Sequence, residues 1–418
     1  MNAPVQIDAA TDAAATPLDR IDVSNPRLYQ DDCYFPYFAR LRREDPVHYR
    51  QGGMYGDFWS ITKFKDIMHV ETHPEIFSSD AKLGGITITD RPMEFRRSSF
   101  ISMDPPRHDE QRKVVSPIVA PANLNNMSSI IRERTARVLD GLPRNETFDW
   151  VQEVSIELTT LMLTTLFDFP LADRHKLTWW SDRATEDVNA GGIVNSEQKR
   201  LEILTEAVQV FTGLWHERAA KPPSYDLISM LAHGEATKNL VNDPAEFLGN
   251  LVLLIVGGND TTRNSMSGGL AALCKHPAEY DKLRANPGVI PSMVPEIIRW
   301  VSPIIHMRRT ALADTQIGGK QIRQGDKVVM WYVSGNRDED SIDRPDDFII
   351  DRVRPRHHLS FGFGVHRCVG NRLAEMQLNI LWEEIMQRFP RIELMDEPKR
   401  LYSNFIHGIT EMKVRIPG

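Results

Sequence analysis

The feature that most limits what this chain can fold into is a helical pattern from about Ala245 to Lys275, opened by the strong start signal Asn242-Asp243-Pro244. A helix of that length is unusual in a globular protein and serves as a spine on which other elements pack. Its middle is weak: Gly257-Gly258-Asn259-Asp260-Thr261-Thr262 puts two glycines inside the run, each costing roughly 1 kcal/mol relative to alanine in a helix interior. Two readings account for this. In one, the helix ends at Gly257 and Asp260 or Thr261 caps a new one. In the other, the helix continues, the small residues leave room beside a bound ligand, and a threonine hydroxyl next to a carboxylate relays protons into a dry site.

A second stretch, His357 to Gly370, delivers one cysteine. Its glycines at 362, 364 and 370 allow backbone conformations and close approaches that side chains resist. Leu378, Leu381, Trp382, Ile385, Met386 and Phe389 follow at helical spacing, so a helix starts just after the loop and Cys368 sits near its N-terminus. Free N–H groups, the helix dipole, Arg367 and Arg372 there favour a thiolate. On the residues alone, Cys368 is a metal ligand, a nucleophile or a small core residue. His366 lies too close in sequence to be a comfortable base for it, which counts against a cysteine hydrolase.

Charge and cysteine content exclude other classes. A net charge of -7 argues against nucleic acid as a bulk electrostatic partner, and 41% hydrophobic with 26% charged residues describes a soluble globular chain. Cys33, Cys274 and Cys368 are scattered without paired or zinc-type spacing, which suits a reducing cytoplasm. Met1 to Pro17 lacks the basic and apolar regions of a signal peptide, and the run from Phe247 to Gly258 is too short to cross a bilayer, so no membrane span is expected.

Taken in order, residues 1–20 read as a disordered tail and 21–418 as one domain. Val47-His48-Tyr49 and Phe58 to Thr62 read as two short strands, Ser78 to Ser102 as a long loop of the kind that carries function, and Asp104-Pro105-Pro106 as a helix start. That helix sets His108 and Arg112 on one face. Residues 125–220 read as several antiparallel helices broken near Gly141, Phe169 and Asn189. Glu296 and Arg299 share a helix face, a common arrangement that alone carries little meaning. Short β segments flank Gly318-Gly319 and Gln324-Gly325-Asp326, and alternation resumes from Arg391 to Pro417.

The pattern Phe361-x-x-Gly364-x-His366-x-Cys368-x-Gly370 resembles the haem-binding loop of the cytochrome P-450 family. The resemblance implies a mainly α fold with a small β region and haem b between the long central helix and the cysteine-loop helix. Cys368 would be the axial thiolate, with Phe361, Gly362, His366 and Gly370 around the cofactor. His108, Arg112 and Arg309 would meet its propionates. The segment Gly257 to Thr262 resembles the family's oxygen-activating kink, with Asp260 as acid and Thr261 as alcohol, and Glu296-x-x-Arg299 resembles its structural ion pair. One departure is Asp347, where many relatives carry an arginine; Arg352 is a candidate for the missing third partner.

The implied activity is insertion of one atom of O₂ into an unactivated C–H bond. Electrons would come from NAD(P)H through a ferredoxin reductase and a ferredoxin docking near Lys113, Arg367 and Arg372, on a monomer. The motifs look most like bacterial members that hydroxylate the terminal methyl of medium-chain alkanes and fatty acids. The alternatives are terminal oxidation of a steroid side chain and a haem-binding sensor without turnover. A small apolar substrate would be lined by Ile86, Leu253, Gly257, Ile304, Ile305, Met307, Phe405 and Ile406.

Overall fold

A computed structural model describes residues 9–418; the first eight residues of the expected tail lie outside them. Within that tail, Ala9–Ala15 forms a helix instead. Alanine is the best helix former, and this helix has something to pack on. Ala13 is buried against Tyr37, Phe38 and Leu41 of the helix Phe35–Glu44, and Arg40 donates to the Ala13 carbonyl at 2.7 Å.

The central helix runs unbroken from Pro244 to Lys275, about 48 Å at 1.5 Å per residue. Asp243 caps it, accepting from the N–H groups of Ala245 and Glu246, while Pro244 occupies the first turn, where no donor is lost. The glycines stay helical, so the reading with a break at Gly257 does not hold. Neighbouring helices explain why the weak residues are tolerated. A Cβ at Gly258 would meet Leu163 at 2.9 Å and one at Gly268 would meet Val301 at 2.6 Å, so small residues let those helices come close.

Two apolar clusters flank the spine. One joins the C-terminal half of the central helix to Ile290–Val301, the cysteine helix Asn371–Arg388 and the C-terminal strands, around Trp150, Leu270, Ile297 and Trp382. The other joins its N-terminal half to the helices Pro121–Asp140, Glu157–Phe167, His175–Thr185 and Glu197–Ala219, around Leu163, Trp180, Phe211 and Phe247. The cysteine helix enters both: Leu378, Leu381, Trp382, Ile385 and Phe389 face the first cluster, Leu373 and Ile380 the second. Each such side chain, fully buried, stabilises the fold by about 1.5–3 kcal/mol.

The main sheet orders its strands Val47–Gly53, Gly56–Ile61, Lys327–Trp331, His306–Ala311, Phe77–Ser78. Gly56–Ile61 and Lys327–Trp331 pair in parallel and the other neighbours antiparallel. Between Ser79 and Met103 the chain makes only short 3₁₀ turns. Several bonds fix this loop to the sheet, among them Arg308 N–H to the Ile86 carbonyl at 2.8 Å, Ile88 N–H to His306 Nε2 at 3.0 Å and Thr310 Oγ1 to the Leu83 carbonyl at 2.9 Å. Among the described residues no helix is long and apolar enough to cross a membrane.

Candidate active site

A cavity of about 480 Å³ lies between the central helix, the cysteine loop, the 79–103 loop and the sheet. The loop's geometry is what presents the thiol to it. Gly362 and Gly364 have φ of 64° and 62°, and a Cβ at Gly364 would sit 2.2 Å from the Glu71 carbonyl oxygen. The Cys368 N–H donates to the Phe361 carbonyl at 2.8 Å, closing the loop just before the cysteine helix begins at Asn371. Cys368 is deep within the protein and yet accessible, because it faces the cavity. Burial raises its pKa, outweighing the N–H groups of Gly370 and Asn371 and the charges of Arg112 and Arg367. The helix-terminus argument for a thiolate is therefore insufficient; a metal cation held by the sulfur would supply the missing positive charge.

Beside the loop, four basic groups look into the same cavity. His108 Nδ1 lies 2.7 Å from Asp109 Oδ1 and His366 Nε2 lies 3.0 Å from Ser79 Oγ, with the two rings 4.3 Å apart edge to face. Burial keeps both imidazoles below the usual histidine pKa, hence neutral at pH 7. Their remaining nitrogens, His108 Nε2 and His366 Nδ1, are buried with no hydrogen-bond partner among the described residues. Arg309 donates to the Arg308 carbonyl at 2.8 Å and Arg112 to the Arg367 carbonyl, and neither pairs with a carboxylate. Buried polar atoms are almost always satisfied. A ligand with two carboxylates and a metal for the thiol, which is what haem b offers, fits this donor set.

Glu71 carries no signal in the sequence and yet anchors the loop. Its buried carboxylate accepts from the Phe363 N–H at 2.6 Å and from the Tyr332 hydroxyl. Burial raises its pKa to about 7, against the opposing pull of Arg309. A lone glutamate in an amphipathic helix reads as a solvated face, so only the tertiary structure reveals it.

Across the cavity, Gly257, Gly258 and Thr261 form part of the wall. A Cβ at Gly257 would meet nothing within 4 Å, so that glycine leaves open space. Thr261 Oγ1 donates to the Gly257 carbonyl at 2.9 Å, parking its proton on the helix and leaving its lone pairs to accept. Asp260 does not line the cavity. It is fully buried on the far side of the helix, accepting from Arg263 Nη2 at 2.6 Å, Asn259 Nδ2 at 3.1 Å and Thr185 Oγ1 at 3.4 Å. Burial raises its carboxyl to about 6; Asp182 adds to the rise and Arg263 opposes it. Thr185, which sequence reasoning missed, both lines the cavity and touches Asp260.

Of the expected substrate wall, Ile86, Leu253, Gly257, Ile304, Met307 and Phe405 line the cavity. Ile305 and Ile406 do not. Successive residues of an extended chain point to opposite faces, and Ile305 turns into the core beside Trp331 and Val333, while Ile406, 1% exposed, forms a β-bridge with Ile304. Farther off, Arg299 and Arg352 both reach Glu296, with Arg299 Nε at 2.8 Å and Arg352 Nε at 2.9 Å. Asp347 contributes only its carbonyl to these arginines, its side chain pairing with Arg344 at 2.7 Å.

A helical body with a glycine-containing spine over a cysteine loop, and a cavity equipped for a diacid metal macrocycle, defines a haem-thiolate protein. The family model for "Cytochrome P450" matches residues 191–413. The solved structure of cytochrome P450-153 from Novosphingobium aromaticivorans is 46% identical, with a TM-score of 0.89 over 94% of this chain and 99% of that one. Linalool 8-monooxygenase of Pseudomonas putida is 36% identical over 95% of this chain and 99% of its own length. A methyl-branched lipid omega-hydroxylase of Mycobacterium tuberculosis is 30% identical over 97% and 98%. The chain belongs to the cytochrome P450 family. It is a monooxygenase that uses haem with a cysteine thiolate ligand, O₂ and electrons from external partners.

Proposed function

We propose that this protein hydroxylates the terminal methyl of a linear, apolar chain, with Cys368 as the haem ligand and Thr261 and Asp260 managing protons. The observation that carries this reading is that Cys368 and Thr261 line one cavity whose surface is mainly apolar. Haem, when bound, supplies the activation of O₂ for insertion into a C–H bond. His108, His366, Arg112 and Arg309 hold its acidic edge, and Glu71 braces the loop that presents the thiolate.

The chain's own residues do the rest. Val252, Leu253, Ile304 and Met307 exclude water and align the substrate. Alignment is decisive because a primary C–H bond is stronger than the secondary ones beside it, so only positioning selects the end of the chain. Thr261 accepts a hydrogen bond at the cavity wall. Asp260, with its carboxyl near neutrality, exchanges a proton with the Thr185 hydroxyl, which faces the same cavity. The name of the Mycobacterium relative, an omega-hydroxylase acting on a lipid, supports oxidation at the chain end.

Electrons arrive from a ferredoxin that docks on the cysteine-loop face. Lys113, Arg367 and Arg372 are exposed there and supply positive charge despite the net negative total. The unpaired Cys33, Cys274 and Cys368 support a cytoplasmic setting. The test is a titration of the oxidised, haem-loaded protein with octane and, separately, a steroid enone, followed by the low-to-high-spin shift. A saturable shift with octane, and 1-octanol from the reconstituted reaction, is expected. A shift with the steroid alone moves the substrate to a steroid side chain and overturns the linear-chain reading.

A further inference from the structure

The charges around the cavity do not cancel. Besides Arg112 and Arg309, its lining includes Arg91, Arg96, Arg97 and Arg200. Glu197 engages two of these, Arg91 Nε at 3.3 Å and Arg200 Nε at 3.1 Å. The other acids nearby are also occupied: Glu186 pairs with Arg183 at 2.9 Å and Asp187 accepts from the Tyr55 hydroxyl at 3.3 Å. Arg96 donates to the carbonyls of Arg91 at 2.8 Å and Lys82 at 2.6 Å, and Arg97 to those of Glu94 at 2.9 Å and Arg96 at 3.2 Å. Carbonyls orient a guanidinium without neutralising it. Among the described residues neither Arg96 nor Arg97 is in an ion pair, so two half-buried cations line the cavity with carbonyls as their hydrogen-bond partners. Glu197, already engaged by Arg91 and Arg200, is the acid whose charge reaches Arg97.

These two arginines sit on a loop that packs on the first half of the central helix. The loop that carries them crosses the central helix at Gly249 and Asn250. A Cβ at Gly249 would be 2.0 Å from the Ser98 carbonyl oxygen and 3.3 Å from Arg97 Cβ, and Phe100 N–H donates to Asn250 Oδ1 at 3.2 Å. Thr261 is about 18 Å further along the same helix at 1.5 Å per residue. Between the two ends Val252, Leu253, Val256 and Gly257 line the cavity, an apolar track with a charged terminus.

We propose that Arg96 and Arg97 bind the carboxylate of a straight-chain acid whose methyl end reaches Thr261. The inference rests on the linear-chain reading and deepens it: the preferred substrate is a fatty carboxylate, which binds more tightly than an alkane of the same length. At about 1.3 Å per methylene, set by C–C bond lengths, the distance along the helix matches a chain on the order of 14 carbons. Arg97 is the specificity residue, because its guanidinium spans only the adjacent carbonyls of Glu94 and Arg96, whereas Arg96 braces the loop internally by joining the Lys82 turn to Arg91.

The haem-loaded full chain is titrated with tetradecanoic acid, its methyl ester and tetradecane, following the spin-state shift at low and high ionic strength. The acid is expected to bind about tenfold or more tightly than the ester at low salt, as charge-assisted hydrogen bonds allow. That advantage shrinks as salt screens the contact. In Arg97→Gln the acid falls to within about threefold of the ester while the ester is unchanged. Equal affinities for acid and ester in the native protein, or a preference that survives both salt and the substitution, overturn the inference and leave the linear-chain reading standing. If none of the three ligands shifts the spin state while a steroid enone does, the linear-chain reading fails and this inference with it. Should Arg97→Gln not take up haem, the salt dependence of the acid-to-ester ratio in the native protein decides, a constant ratio being the contrary result.

Discussion

Glu296 and Asp260 are two fully buried carboxylates with the same local arrangement, an arginine three residues on, and they behave in opposite ways. Burial pushes the Glu296 carboxyl up, but it receives two bonds from Arg299 at 2.8 Å, two from Arg352 at 2.9 and 3.2 Å, and the Ile349 N–H at 2.9 Å. Together these hold it below the ordinary glutamate value, so it stays ionised. Asp260 has a single charged donor, Arg263, which also binds Asp182 at 2.9 Å. Its other donors are neutral and longer, burial prevails, and the carboxyl rises to about 6. Spacing on a helix therefore does not decide what an acid–arginine pair is for. The number of charged donors, and whether the arginine has a competing acid, separates a carboxyl held ionised from one raised towards neutrality, as the proposed proton role of Asp260 requires.

The largest way to break this contrast is Glu296→Gln. It leaves Arg299 and Arg352 with no carboxylate in a dry site, and breaking a buried pair from one side costs about 3–5 kcal/mol. The expected outcome is a large fall in thermal midpoint with poor haem retention. A midpoint within a couple of degrees of the native value would show that Glu296 is not a strut.

A smaller effect sharpens the other half. Asp260 is raised in the folded state, so between its unfolded value near 4 and its folded value of about 6 the native protein binds more protons than the unfolded chain. Stability contributed by this group is thus lost as pH rises through that window. Glu296, being lowered, contributes in the opposite sense, its share vanishing only as pH falls through its depressed pKa. Glu71, raised to about 7, adds its own loss at higher pH. Urea midpoints of the native protein and Asp260→Asn across pH 4 to 7 isolate the Asp260 share. The native protein should lose more stability than the variant over that range, and parallel curves would contradict the assignment.

Much of the fold could be read from residue patterns because its periodicities are long and its punctuation strong. The central helix announced itself by Asp243-Pro244, and the cysteine helix by a stripe of apolar residues that are mostly buried. The family pattern around Cys368 carried the cofactor. Tertiary facts stayed hidden. Glu71 and Thr185 reach the site only because distant segments fold back, and the burial that raises the Cys368 thiol has no local signature. The 304–305 pair shows the limit of composition alone: both isoleucines are equally apolar, and only backbone alternation decides which one faces the cavity. The scarcity of aromatic and β-branched residues similarly misled at Ala9–Ala15, where a neighbouring helix supplies packing that the local composition does not announce.

The most direct measurement is the rate of product formation by haem-loaded Asp260→Asn in the reconstituted reaction, set beside its thermal midpoint. The substitution keeps the shape and removes the exchangeable proton, while Arg263 keeps Asp182 as its partner. The account predicts a fall of about 100-fold or more in rate, the scale of positioned acid–base catalysis, with the midpoint preserved and the thiolate spectrum intact. An unchanged rate, or a collapse of stability like that expected for Glu296→Gln, would contradict it and make Asp260 a second strut.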